Sequence, residues 1–264
     1  MSRQGPRETD SRARWFVLTA SALGSFAAAV MFTSVNVAIP TLVEAFDTKF
    51  AVVQWVLLAY LLATSALLPI LGRLADMVGK RTIFLGGFAL YIVGSLLSGM
   101  SSTVVMLIAF RTLQGVGAAV LTAIGLAIVT DVFPSNERGR AIGINGAVLS
   151  TGIVIGPTLG GLLIDVASWR WVFWAGVPVG LLGLWLSYRF VPPYERGERK
   201  RFDFPGAATL FTALLCLSLA LTLGQARSYD DPLILALFAA FAVVLGGFLW
   251  IEKRAEAPVL ELSL

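Results

Sequence analysis

One arginine sits where an arginine is costly. Arg111 lies about eight residues into an apolar run that begins near Thr103, so its charge is carried about 12 Å into that run at a helical rise of 1.5 Å per residue. A guanidinium at such depth in hydrocarbon costs roughly 2.5–3.5 kcal/mol on insertion scales, so it faces a bundle interior or a wet cavity. Two tasks suit it there: holding the backbone carbonyls of neighbouring helices, or handling a charged or proton-exchanging group. Gln114 is its polar neighbour three residues on, on the same helical face. No aspartate or glutamate lies deep in any apolar run; Asp131 and Asp165 fall at the ends of theirs. The rest of the inventory excludes whole classes of chemistry. The chain has no histidine and a single cysteine, Cys216, so a His relay, a Cys-cluster metal site and an intrachain disulfide are all out of reach. No nucleophile–base pair and no phosphate-cradling loop appears, so the chain reads as no enzyme, with no metal and no cofactor.

Two further stretches carry distinctive residue types. Gly72 to Arg81, GRLADMVGKR, is short and charged between two apolar runs. Gly72 and Gly79 with Arg73, Asp76, Lys80 and Arg81 fit a tight turn at a membrane surface, with Asp76 placed to face the positive end of the following helix. A loop that only fixes topology would look similar. Asp131 closes the fourth apolar run on the side where Arg73 and Asp76 should lie. Gly152 to Gly161, GIVIGPTLGG, sets Gly152, Gly156, Gly160 and Gly161 around Pro157. Proline removes one helical hydrogen bond, and the glycines leave a face on which another helix can pack and slide.

The elements that must position these residues follow from composition. Of 264 residues, 57% are hydrophobic and 14% charged, against roughly 25% charged in a typical soluble domain. Eight stretches reach the roughly 20 apolar residues that a crossing needs, at about 15–39, 52–71, 82–100, 103–131, 140–164, 171–190, 204–225 and 232–251. The first is too long for a signal-peptide core and lacks a small-residue cleavage site. All eight should be helical, because backbone groups in lipid need internal partners. Lys and Arg fall on alternate connections: the tail, Arg73–Arg81, Arg138–Arg140, Arg189–Arg201 and Lys253–Arg254 against Lys49, Arg170 and Arg227. The positive-inside rule then puts both ends in the cytoplasm. The net charge of +4 is thus a topology signal and no sign of nucleic-acid binding. Trp15, Trp55, Trp169, Trp171 and Trp250 fall near the expected interfaces. The organisation expected is a cytoplasmic tail (1–14), a six-helix bundle (15–190), a charged linker (191–203), two further membrane helices (204–251) and a cytoplasmic segment (252–264).

These motifs resemble those of the major facilitator superfamily of secondary transporters. Gly72–Arg81 resembles the loop between its second and third helices. Arg111–Ala119, RTLQGVGAA, is similar to the fourth-helix motif of its drug exporters, and Gly152–Gly161 to the fifth-helix motif that sets antiporters and exporters apart from importers. Thr33–Pro40, TSVNVAIP, resembles the end of the first helix in the fourteen-helix drug:proton antiporter branch, and Trp169–Phe173 with Val177–Gly180 the entry to helix six. In two places the chain departs from that pattern: Met31 stands where the branch has Asp, and Gly176 where it has Asn.

The resemblance implies an all-α, multi-pass protein of the cell membrane with a major facilitator-type six-helix bundle plus two helices. It implies efflux of small molecules, proton-coupled through Arg111 with Gln114, gated by the Gly72–Arg81 loop with Asp131, and with Thr33 and Asn36 as candidates for the substrate cavity. It also implies that a second transporter half, or a second copy, is needed for transport. A protein with only a scaffold or partner-binding role is the alternative; a channel is disfavoured because no charged or carbonyl-rich filter sequence appears.

Overall fold

The computed structural model describes residues 11–193 and 204–252. Most of the expected tail, nearly all of the linker and the segment after Glu252 lie outside the described residues. Within them all regular structure is helical: α1 (Ser11–Ala45), α2 (Phe50–Val78), α3 (Lys80–Gly99), α4 (Val104–Val132), α5 (Ser135–Val166), α6 (Trp169–Trp174), α7 (Gly176–Phe190), α8 (Phe204–Arg227) and α9 (Pro232–Glu252). Eight spans are long and apolar enough to cross a bilayer, with α6 and α7 together supplying the sixth.

The helices overrun the expected boundaries at their polar ends. The stretch expected as a turn from Gly72 to Arg81 is mostly helix: α2 runs to Val78, so Gly72, Arg73 and Asp76 are helical. The reversal falls on one residue. Gly79 has φ 104°, a region that side chains disfavour, and its N–H still closes on Ala75 O at 2.9 Å. Leu74, Ala75 and Met77 are good helix formers, and the charged residues at this end can stay hydrated while the helix continues past the apolar run. Gly72, by contrast, has nothing within 4 Å of where a Cβ would stand, so no close approach demands a glycine there. Likewise α5 begins at Ser135, directly after Pro134, so Arg138 and Arg140 belong to its first turns. α1 continues through Pro40 to Ala45. Trp169, expected at an interface, is buried between Phe46 and Phe173, with ring centroids at 5.3 and 6.0 Å.

α1 is the central helix. It packs on α2, α4, α5, α6 and α7, while α3 packs on α4, α6 and α7. The shared core is built on Phe84, Phe88, Tyr91, Leu107, Leu121 and Ile124. α8 and α9 form a hairpin that leans on this bundle through α2.

Candidate functional site

Arg111 is completely buried, about two turns into α4. Its Nε donates to Val56 O at 3.2 Å and its Nη1 to Gln114 Oε1 at 2.6 Å. Gln114 Nε2 donates in turn to Ser95 Oγ at 2.5 Å, which ties α4 to α3. The guanidinium carbon stands 4.2 Å from the Tyr60 ring centroid and 5.8 Å from that of Phe173. Two carbonyl-type acceptors and two aromatic faces thus surround the charge. Stacking on a ring is worth about 2 kcal/mol or more when desolvated, comparable to the insertion cost. No aspartate or glutamate is buried among the described residues, so none of these offsets the charge from within the bundle. Arg111 Nη2 is buried without a hydrogen-bond partner.

Close backbone approach makes this constellation possible. A Cβ on Gly115 would stand 2.7 Å from Tyr60 O, and one on Gly94 would stand 2.7 Å from Gln114 Cα. α4 therefore meets α2 and α3 nearly backbone to backbone, which brings Tyr60 and Ser95 within reach of Arg111 and Gln114.

Two tyrosines link the cluster to α1. Tyr91 Oη donates to Ala27 O at 2.9 Å and Tyr60 Oη to Ala28 O at 3.2 Å. Both grip the turn that presents Met31. Met31 is itself buried, and its methyl group lies 3.1 Å from where a Cβ on Gly176 would stand; Tyr91 Oη is 2.7 Å from the same point. The two residues that depart from the expected motifs are therefore neighbours. The longer apolar side chain at 31 fills space left open by the missing side chain at 176.

The seam between α1 and α5 is the other organised region. Gly152, Gly156 and Gly160 are buried one helical turn apart, and each faces α1. A Cβ at Gly152 would stand 3.0 Å from Phe26 O, one at Gly156 3.0 Å from Val30 O, and one at Gly160 2.8 Å from Ser34 O. Ser34 Oγ donates to Gly156 O at 2.7 Å. Further along, Ser21 Oγ donates to Asn145 Oδ1 at 3.2 Å, and Asn145 Nδ2 donates to Ser25 Oγ at 3.3 Å. Pro157 points away from this seam and is exposed, and Gly161 is only half-buried. Thr33 lies in the seam, its Oγ1 bonded to Ala29 O at 3.0 Å. Asn36 is exposed and bonds back to Phe32 O at 3.1 Å.

At the end of the bundle that carries Gly79, Lys80 Nζ pairs with Asp131 Oδ2 at 2.6 Å and with Asp76 Oδ1 at 4.0 Å. Asp131 and Asp76 thus converge on one cation, across the α2–α3 and α4 ends. Arg81 turns the other way, donating to Tyr188 O at 2.6 Å. At the same end Arg14 pairs with Glu137 at 3.2 Å, and Arg140 stacks on Trp15. Sequence reasoning singled out Arg111, Gln114, Lys80 and Asp131 but not their partners Tyr60, Tyr91, Ser95 and Phe173, nor the Arg14–Glu137 and Asn145 links. The available signal was a tyrosine hydroxyl or an amide inside an apolar run, each of which needs a partner.

Comparison with known proteins agrees with this architecture. The family model of the Major Facilitator Superfamily matches residues 21–260. Multidrug resistance protein 3 of Bacillus subtilis (strain 168) is 38% identical over 250 residues, covering 93% of this chain and 48% of that protein. The riboflavin transporter RibZ of Clostridioides difficile (strain 630) is 34% identical over 232 residues, covering 87% of this chain and 51% of that protein. The chain spans about half the length of these curated relatives. Among solved structures, the human organic anion transporter MFSD10 superposes with a TM-score of 0.61 at 19% identity, over 86% of this chain and 58% of that one.

Proposed function

The chain belongs to the Major Facilitator Superfamily, and on that premise we propose that it is the N-terminal portion of a secondary transporter that exports small molecules, one half of a rocking pair. The observation that carries this reading is the α1–α5 seam. The glycines that resemble the exporter motif, Gly152, Gly156 and Gly160, are the ones that bring α5 onto the α1 backbone. A seam this close, pinned by the Ser34–Gly156 and Ser21–Asn145–Ser25 hydrogen bonds, holds α1 and α5 together so that the half can rock as one body, as alternating access requires.

In this fold the substrate site lies between two halves near the midplane. This chain contributes one half, with the α8–α9 hairpin following it. The second half, or a second copy, completes the cavity. The positive-inside rule supports an orientation with the Gly79 end in the cytoplasm. There the Lys80–Asp131–Asp76 cluster acts as a latch that joins α3 to α4 and breaks as the end opens.

Proton antiport needs a group whose protonation changes during the cycle. No described carboxylate is buried in this half. If export is proton-coupled, this reading assigns the titrating group of the cycle to the second half. Arg111, held by Gln114 and Val56 O, supplies a fixed positive charge that favours the deprotonated form of a carboxylate brought near it. The names of the matching relatives favour transport over the scaffold alternative.

The test uses membrane vesicles with an imposed proton gradient and a lipophilic dye as probe. The longer protein that contains this chain should show saturable, gradient-driven flux that a protonophore abolishes. The chain alone, shown to be monomeric, should show none. Saturable flux by the monomeric chain would overturn the half-transporter reading, and flux insensitive to the protonophore would overturn proton coupling.

A further inference from the structure

A cavity of about 430 Å³ opens between the start of α3 and the end of α7, lined by Gly79, Arg81, Thr82, Leu85, Tyr188 and Pro193. Arg81 is its charged wall. The guanidinium donates to Tyr188 O at 2.6 Å and stands 5.6 Å from the Tyr188 ring. It makes no ion pair with any described carboxylate, and its Nε is shut off from water without an acceptor. The adjacent cation, Lys80, is by contrast fully engaged with Asp131 and Asp76 on the opposite side. The second polar group is the Thr82 hydroxyl. Leu85 and Pro193 give the cavity an apolar side. Tyr188 and Trp185 are 67% and 58% exposed on α7, at the level where aromatic side chains mark the boundary between lipid and water.

A cation with no counter-charge among the described residues, a hydroxyl, an apolar wall and an aromatic rim together describe the surroundings of an anionic amphiphile. We propose that this cavity binds the phosphate of an anionic phospholipid headgroup, with Arg81 and Thr82 on the phosphate oxygens and the acyl chains running past Leu85. The planar guanidinium fork matches two phosphate oxygens at once, and basic pockets between membrane helices are a recurrent way of holding such headgroups. A bound lipid would staple the first turn of α3 to the last turn of α7. The proposal rests on the membrane placement of the helices and is independent of what the protein transports. Free phosphate shares the recognised chemistry but would leave the apolar side of the cavity unused.

The experiment is a thermal-shift titration of the purified chain in neutral detergent with phosphatidylglycerol, phosphatidylcholine or inorganic phosphate, with retained lipid counted by native mass spectrometry. Phosphatidylglycerol should raise the melting temperature and remain bound, whereas phosphatidylcholine and inorganic phosphate should not. Arg81→Gln should weaken phosphatidylglycerol binding at least about tenfold, the low end of what losing a hydrogen bond from a charged group costs. Arg140→Gln, the same charge change on α5, should leave it unaltered. Thr82→Val alters an exposed residue and keeps the test open if Arg81→Gln does not fold; it should weaken binding about threefold, as expected for a neutral hydrogen bond. Equal effects of phosphatidylglycerol and phosphatidylcholine would overturn the proposal, as would equal losses in Arg81→Gln and Arg140→Gln or full binding by Thr82→Val and Arg81→Gln together. Protection by inorganic phosphate equal to that by lipid would assign the cavity to the free anion and overturn the lipid assignment.

Discussion

Replacing Gly160 with alanine would place a methyl group 2.8 Å from Ser34 O and 3.0 Å from Ser34 Cα and Cβ. The closest of these lies 0.6 Å inside the 3.4 Å at which ordinary contact begins, and two of the three atoms belong to the α1 backbone. No side-chain rotation relieves them, so α1 and α5 must separate. Overpacking of this kind costs about 1–3 kcal/mol. The separation also strains the Ser34–Gly156 hydrogen bond, a loss of about 0.6–1.7 kcal/mol for a bond between membrane helices. Against this, alanine is better than glycine in a helix interior by roughly 0.5–1 kcal/mol. The net effect of Gly160→Ala is a loss of about 1–3 kcal/mol. At Gly161 the nearest atom to the new methyl group is Val37 Cγ1 at 3.9 Å, so only the helix-propensity gain remains. Adjacent glycines of one motif should thus differ by about 2–3 kcal/mol, or roughly 5–10 °C in melting temperature for a chain of this size. Heat denaturation of the purified chain in detergent, followed by tryptophan fluorescence, measures both variants. Equal melting temperatures, or a lower one for Gly161→Ala, would refute the assignment of the seam.

The remaining expectations concern three other sites. Gly176→Asn should destabilise the bundle, because its side chain meets Met31 and Tyr91, and Met31→Ala should restore part of the loss; a double-mutant cycle with no coupling would refute their shared packing. Asp131→Asn should slow efflux by the longer protein more than Asp76→Asn, since Asp131 lies 2.6 Å from Lys80 and Asp76 lies 4.0 Å away. Melting should shift little in either, because exposed pairs are worth about 0–1 kcal/mol; initial dye-efflux rates in the opposite order would count against the latch. Arg111→Lys keeps the charge but cannot reach Val56 O and Gln114 Oε1 together. It should cost about 1.5–3 kcal/mol, one charged hydrogen bond, and unchanged melting would show that the fork is dispensable.

The fold was legible because its signals are long. Twenty apolar residues in a row, with basic residues at alternate connections, specify membrane helices without any knowledge of partners. Helix ends were read less well, because hydropathy marks where lipid stops and not where hydrogen bonding stops. Hence the stretch from Gly72 to Val78, polar by composition, continues α2. Arg111 and Gln114 were legible from cost and spacing. Their partners on α2, α3 and α6 were not, since nothing local says which turn of another helix will lie opposite. The Met31–Gly176 pairing was hidden for the same reason: each substitution looks like an isolated departure until the two are seen to share one space.

The pairing of α1 with α5 also has a consequence for biosynthesis. Ser34 and the Gly156 carbonyl are 122 residues apart, and Ser21 and Asn145 are 124 apart. At a synthesis rate of about 5–20 residues per second, α1 waits roughly 6–25 s for α5 to leave the ribosome. During that interval α2 and α4 can settle against it, but the face bearing Ser21, Ser25 and Ser34 stays open to lipid or to the insertion machinery. α1, made before the other described helices, is therefore among the last of them to be enclosed. Ribosomes stalled before Asn145 would hold a nascent bundle whose central helix is still unsheltered on that side, the state in which membrane quality control has most to recognise.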